Sequence, residues 1–240
     1  MAEVLTPDIC VIGAGSGGLT VAAAAASFGV SVVLIEKGKM GGDCLNYGCV
    51  PSKALLAAGK QAQSMRSGSK FGIAPAEPQV NFKSVMAHVK SVIAEIAPND
   101  SVERFTALGV RVIQAEAKFG DKRTVFAGDH EVRARRFVIA TGSSALVPPI
   151  SGLSDVDYLT NETLFEQERL PTHLIIIGGG PIGMAMAQAH RRLGAEGTVI
   201  EAFAALGKDD PETASTILSA LRAEGISILE NTKVVSGEMR

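Results

Sequence analysis

Cysteine is scarce: three residues in 240 are too few to staple a disulfide scaffold. Charge of one sign is missing as well. The 23 basic residues nearly balance the 25 acidic ones, leaving a net charge of −2, and no run of five or six like charges forms an interaction tail. Without the basic footprint that dominates nucleic-acid affinity, DNA and RNA are excluded as expected partners. The start, Met1-Ala2-Glu3, has none of the basic residues of a secretory leader, and the expected location is cytoplasmic. Long apolar runs are also absent. Leu19 to Ile35 comes nearest, but Ser27, Gly29 and Ser31 interrupt it, so it reads as a buried helix followed by a buried strand and no membrane partner is expected.

Glycine is abundant, at 26 of 240 residues, without the strict period of collagen and on a background that is 46% hydrophobic and 20% charged. At about 150 residues per domain, the length fits one large or two small domains with a real core. The glycines mark turns between regular elements. Asp8 to Ile12 is a short apolar run, followed by Gly13-Ala14-Gly15-Ser16-Gly17-Gly18, an alanine-rich segment to Phe28, and a β-branched run from Val30 to Ile35. The same order recurs at Leu174 to Ile177, Gly178-Gly179-Gly180-Pro181-Ile182-Gly183, a helical stretch to Leu193, and a run at Thr198 to Ile200. The fold class is therefore α/β, with two Rossmann-like strand–turn–helix–strand units. Between them the pattern predicts helices over Val50–Arg66 and Phe82–Ala97, then shorter strands ending with Phe137–Ala140 before Thr141-Gly142. Pro148-Pro149-Ile150-Ser151-Gly152 breaks the pattern and places a domain boundary between 1–150 and 151–240.

Each glycine turn has the Gly-x-Gly-x-x-Gly spacing of a dinucleotide site: Gly13, Gly15 and Gly18 in the first copy, Gly178, Gly180 and Gly183 in the second. The first glycine permits the tight turn, the second lets backbone approach a pyrophosphate, and the third allows close helix–strand packing. The phosphates then sit on a helix N-terminus. Each copy also ends its second strand with a carboxylate 23 residues after the first glycine, at Glu36 and Glu201. A carboxylate there accepts a hydrogen bond from a ribose 2′-hydroxyl and repels a 2′-phosphate. Two dinucleotide sites on one chain suggest FAD and a nicotinamide cofactor, and Glu201, with no arginine nearby, favours NAD over NADP. The turns by themselves do not say which copy takes which.

Cys44 and Cys49, with four residues between them, lie in Gly41-Gly42-Asp43-Cys44-Leu45-Asn46-Tyr47-Gly48-Cys49-Val50-Pro51-Ser52-Lys53. Pro51 suits a first helical turn, so a helix is expected to start near Cys49. Its positive end, with Lys53 one turn inside, favours a thiolate; thiols near pKa ~8.5 fall to roughly 3.5–7.5 in such surroundings. Two cysteines so placed suit dithiol–disulfide exchange. Metal binding needs further ligands, and His88, His130, His173 and His190 lack zinc spacing. Cys10, inside the first strand, reads as a small buried hydrophobe. Asp210 and Pro211 read as the cap and first residue of a helix, Asp100-Ser101-Val102-Glu103 as the capping pattern of a short helix that Gly109 ends, and Arg133, Arg135 and Arg136 as a solvated edge.

The block from Gly41 to Lys53 resembles the active-site signature of the flavin-dependent pyridine nucleotide–disulfide oxidoreductases. Gly13-to-Gly18 is similar to that family's FAD turn, Ala140-Thr141-Gly142 to its strand-end turn, and Gly178-to-Gly183 to its NAD(P) turn. The wording is nearer to dihydrolipoamide dehydrogenase and mercuric reductase than to glutathione reductase. The resemblance implies electrons passing from NADH through FAD to a Cys44–Cys49 disulfide. Cys49 would face the flavin, Cys44 would be the exchange thiol, and Lys53 would lie near the flavin ring. A small dithiol or disulfide, dihydrolipoamide first, is the implied substrate. A mercuric reductase-like enzyme is the alternative, and a truncated flavin- or nucleotide-binding module without turnover is another. The resemblance further implies the N-terminal half of an enzyme, with the second unit incomplete, the dimerisation domain absent and the full-length form a homodimer. One position departs from the family pattern: Ala185 stands where a glutamate normally pairs with the flavin-side lysine.

Overall fold

Short runs of β-branched and aliphatic residues, separated by glycine turns and alanine-rich helices, leave the backbone little choice but parallel sheets joined by helical crossovers. The computed structural model describes residues 3–238. Met1 and Ala2, considered above for a leader, and Met239-Arg240 lie outside that range. In chain order the elements are β1 (Glu3–Leu5), β2 (Ile9–Ile12), α1 (Ser16–Ser27), β3 (Val32–Glu36), α2 (Gly42–Asn46), α3 (Cys49–Arg66), α4 (Phe82–Ile96) and α5 (Val102–Ala107). Strands β4 (Arg111–Gln114), β5 (Ala117–Phe119), β6 (Thr124–Ala127), β7 (His130–Arg133) and β8 (Arg136–Ile139) follow. The remainder is α6 (Asn161–Leu164), β9 (His173–Ile177), α7 (Pro181–Leu193), β10 (Glu196–Ile200), α8 (Pro211–Ala223) and β11 (Ser227–Leu229).

The chain divides into two compact units. The first comprises Met1–Pro51 with Ser91–Ala145, and the second Ser52–Lys90 with Leu146–Arg240. In the first, a parallel sheet runs in the order β4-β3-β2-β8. Its central strands are buried on both faces, which is why they read as uninterrupted apolar runs. One face packs on Leu19, Ala22 and Ala25 of α1 and on Phe105 of α5. The spacing of those three α1 residues puts them on one helical face, and alanine both favours helix and keeps the helix close to the sheet. The other face, through Cys10, Ile12, Val33 and Ile35, packs on Val125, Ala127 and Val132. These belong to a second sheet, β1-β7-β6-β5, in which β5, β6 and β7 form an antiparallel meander and β1 joins β7 in parallel.

The second unit holds the parallel sheet β11-β10-β9. Met184 of α7, Val199 of β10 and Leu218 and Leu221 of α8 form its core. Helix α3 crosses α7 closely: a Cβ on Gly59 would come within 3.2 Å of the Ala189 carbonyl oxygen, so only a residue without a side chain fits there easily. Arg66 donates to the carbonyl of Arg192 at 2.7 Å, and Arg192 forks onto Glu224 at 2.6 and 2.7 Å. The two sheets differ in one respect. Cys10 and Ile12 are buried under the meander, whereas Ile175 and Ile177, which hold the matching positions before the second glycine turn, are 61% and 45% exposed. Among the described residues, no comparable layer covers that face.

His190, which lacks zinc spacing in the sequence, is a packing residue. It is buried beside the Phe82 ring, with centroids 5.9 Å apart. Its Nδ1 lies 2.8 Å from the Met186 carbonyl, which can only accept, so Nδ1 carries the proton. Burial holds the imidazole below its ordinary value of 6.5, partly opposed by that hydrogen bond. The neutral ring therefore contributes stability that is complete above about pH 6.5 and is lost as pH falls toward the folded-state value. Unfolding measured between pH 7 and 5 should show stability falling by up to about 1.4 kcal/mol per pH unit from this group. His190→Met should flatten that slope; an unchanged slope would show that the loss arises elsewhere.

Candidate functional site

The two glycine turns have the same backbone geometry. Gly13 and Gly178 leave their strands with φ of +105° and +115°, a conformation that side chains disfavour. Their N–H groups donate across to the neighbouring strand, Gly13 to Ile35 at 2.8 Å and Gly178 to Ile200 at 2.9 Å. The third glycines are dictated by packing. A Cβ on Gly18 would lie 1.8 Å from the Gly13 carbonyl oxygen, and one on Gly183 would lie 2.3 Å from that of Gly178. The middle glycines, Gly15 and Gly180, are extended N-caps with φ of −79° and −80°. A Cβ on Gly180 would meet no protein atom within 4 Å, and one on Gly15 only Gly42 Cα at 3.9 Å. Intramolecular packing thus does not explain why these two are glycine. The room they leave suits a pyrophosphate approaching the backbone.

The helix ends support that reading. Side chains cap α5, α6 and α8: Ser101 accepts from Arg104 N–H, Thr160 from Glu162 N–H, and Asp210 from Thr213 N–H. The cap expected at Asp210 is therefore present, and within the Asp100–Glu103 pattern it is Ser101 that supplies the cap. Helices α1 and α7, which follow the glycine turns, have neither a side-chain cap nor an acidic residue in their first turn. Their leading N–H groups and positive ends suit an anion.

Glu36 and Glu201 occupy matching positions and make matching bonds. Glu36 Oε2 accepts from Ala14 N–H at 2.5 Å and Oε1 from Gly38 N–H at 2.7 Å. Glu201 Oε2 accepts from Gly179 N–H at 2.7 Å and Oε1 from Phe203 N–H at 2.9 Å. These backbone donors, Gly179 first, hold the Glu201 carboxyl below the usual carboxylate range. Each carboxylate retains lone pairs for a ribose hydroxyl while bracing its own turn. The match extends further. The Ala14 carbonyl accepts from Gly41 N–H, and the Gly179 carbonyl from Leu206 N–H, both at 2.9 Å and both five residues beyond the glutamate. Gly41 and Leu206 are both left-handed, at φ +84° and +53°. Sequence reading missed this pair because glycine and leucine share no chemical label; only the offset of five could have pointed to it.

The two-cysteine segment leaves β3 through this connection. A Cβ on Gly42 would lie 2.6 Å from Gly15 Cα, so the segment presses directly on the first glycine turn. Cys44 is half-buried on α2 and Cys49 is exposed at the first residue of α3, where Pro51 falls in the opening turn as expected. Asn46 Nδ2 donates to the carbonyls of Met40 at 3.0 Å and Gly42 at 2.8 Å. Lys53 is exposed on the second turn of α3, and Ala185 is half-buried on α7. Thr141 and Gly142 follow β8, with Gly142 left-handed at φ +68°. The Ala140 carbonyl before them abuts Gly13, where an added Cβ would approach it to 2.3 Å. Strand end, first glycine turn, Glu36 and the two-cysteine segment are thus gathered at one end of the first sheet. Arg133 and Arg135 are spent on Glu131 and Asp8. No helix among the described residues is long and apolar enough to cross a membrane.

Parallel sheets and paired glycine turns at uncapped helices, the first with a two-cysteine segment beside it, define an α/β fold of the dinucleotide-binding type. The chain belongs to the pyridine nucleotide-disulphide oxidoreductase family, which it matches over residues 7–239. It is 35% identical over 233 residues to a mercuric reductase of Streptomyces lividans, an alignment covering 95% of this chain and 49% of that protein. It is 34% identical over 234 residues to a mercuric reductase of Shigella flexneri, covering 94% of this chain and 41% of that protein. Among solved structures, the HOCl-induced flavoprotein disulfide reductase RclA from Escherichia coli superposes with a TM-score of 0.79 at 27% identity, covering 94% of this chain and 49% of that one. The chain spans about half the length of the curated relatives it matches.

Cys10 is wholly buried in β2, and burial pushes its thiol up to about 12. In the native protein at pH 8, once the Cys44–Cys49 pair has been reduced and the reductant removed, iodoacetamide should therefore label Cys44 and Cys49 while Cys10 stays unlabelled until denaturant is added. Mass spectrometry of the digested protein reads this directly, and early native labelling of Cys10 would contradict the burial.

Proposed function

We propose that this chain is the nucleotide- and dithiol-bearing part of an NADH-linked flavoprotein reductase whose acceptor is a soft metal ion of the mercuric type. The observation that carries the reading is the two-cysteine segment seated on the first glycine turn, in a chain about one-third identical to mercuric reductases. Those relatives favour the mercuric alternative over the dihydrolipoamide dehydrogenase-like reading that the motif wording alone put first.

In this reading Gly13, Gly15 and Gly18, with Glu36, Thr141 and Gly142, hold FAD, while Gly178, Gly180 and Gly183, with Glu201, hold NAD. Bound flavin supplies a two-electron path between the nicotinamide and sulfur. The chain's own residues orient and bind. The N–H groups at the starts of α1 and α7 receive the pyrophosphates. Glu36 and Glu201 accept from ribose hydroxyls. Cys44 and Cys49 take up two electrons as a disulfide opens and, as thiolates, ligate a soft cation or attack a disulfide. Lys53 places a positive charge on the helix that begins at Cys49.

The overall reaction converts one mercuric ion and NADH to elemental mercury, NAD⁺ and a proton. The test follows anaerobic NADH oxidation by the FAD-supplemented protein with mercuric ion in excess small thiol, and separately with lipoamide. Mercury-dependent turnover that Cys44→Ser abolishes is expected. Faster turnover with lipoamide would return the assignment to the dihydrolipoamide class. Nicotinamide choice is tested separately by Glu201→Arg, which should lower kcat/KM for NADH by about tenfold and raise it for NADPH. Loss with both cofactors alike would mean that Glu201 serves only to brace the Gly179 turn.

A further inference from the structure

Ala14 is completely buried, so neither its N–H nor its carbonyl has water to fall back on. Its N–H goes to Glu36 and its carbonyl to Gly41, which makes the backbone of one residue, through the two peptide groups that flank its Cα, the link between the strand-end carboxylate and the segment carrying the cysteines. Glu36 also grips that segment at its start, through Gly38 N–H. Gly42 against Gly15 leaves no slack behind the link, and Asn46 closes the far side by donating to Met40 and Gly42. We propose that Glu36 is a positioning residue for the dithiol: acting through the Ala14 peptide, and together with Asn46, it sets the placement and hence the reactivity of Cys44 and Cys49. The inference rests on the reading of that pair as the reactive thiols. It adds to the ribose role of Glu36, since a nucleotide hydroxyl engaging this carboxylate engages the group that holds the dithiol segment.

The second copy provides the comparison. There the same clamp, Glu201 to Gly179 to Leu206, accompanies a leucine at φ +53°, a conformation that side chains disfavour. The left-handed backbone thus recurs with the clamp although the residue is not glycine, and in that copy the connection carries no cysteine.

Glu36→Gln offers one acceptor and one donor where the carboxylate offers two acceptors, so either Ala14 or Gly38 loses its partner. Iodoacetamide rates at Cys44, Cys49 and Cys10 would be measured anaerobically from pH 6 to 9 on the purified protein, reduced beforehand and freed of reductant, by tandem mass spectrometry. Glu36→Gln should displace the rate–pH profile of Cys44 or Cys49 by about threefold or more, with Cys10 still protected. Glu201→Gln should leave both profiles in place. Asn46→Ala, which leaves Glu36 intact, should displace them too, and it decides the matter if Glu36→Gln exposes Cys10 by unfolding. Unchanged profiles in a folded Glu36→Gln, or in Asn46→Ala where Glu36→Gln does not fold, would overturn the proposal, as would an equal displacement by Glu201→Gln. A wild-type pair that never cycles between disulfide and dithiol would sink the redox reading instead, because alkylation reports on the segment without needing turnover.

Discussion

A side chain at Gly18 would occupy the same space as the Gly13 carbonyl oxygen, and a side chain at Gly183 would do the same to Gly178. This near-contact between a helix's first turn and the strand exit sets the geometry of everything beside it. It brings α1 down on the sheet, turns the Ala14 peptide inward and leaves the opening N–H groups of the helix without an internal partner. The N–H and the carbonyl of a wholly buried residue must then be satisfied, and Glu36 takes the one and Gly41 the other. The two-cysteine segment is placed by that requirement, since it continues directly from Gly41.

The two units show what one device can serve. In the first, the connection after the acidic strand end carries Gly42 onto the glycine turn and then the cysteines of α2 and α3. In the second, the corresponding connection runs through Leu206 to Asp210, which caps α8. The sheets differ in the same way. The first is covered on its far side by the meander through Val125 and Val132, while Ile175 and Ile177 of the second remain open to solvent among the described residues. The turns are nearly identical; what surrounds them is not.

Much of this was legible in the residues because it is encoded locally. Apolar runs before glycine turns located β2 and β9, alanine enrichment located α1, and Pro51, the Asp100–Glu103 pattern and Asp210 located helix starts, since strand burial, helix propensity and capping each act over a few residues. The equal spacing of Glu36 and Glu201 from their glycines marked them as a pair. Less was visible where the cause lay elsewhere in the chain. The parallel pairing of β1 with β7, the cover that the meander gives to Cys10, and the burial of His190 beside Phe82 each join segments far apart in sequence.

The sequence by itself determined the α/β class, the two nucleotide turns and the cysteine pair, because spacing along one strand–turn–helix unit is enough to specify them. Only the tertiary structure decided that Glu36 and Glu201 brace their own turns, that Leu206 does the work of Gly41, and that Gly42 rests on Gly15. Each of those contacts ends on a backbone group, and a backbone N–H or carbonyl looks the same at every position until the fold determines what it must meet.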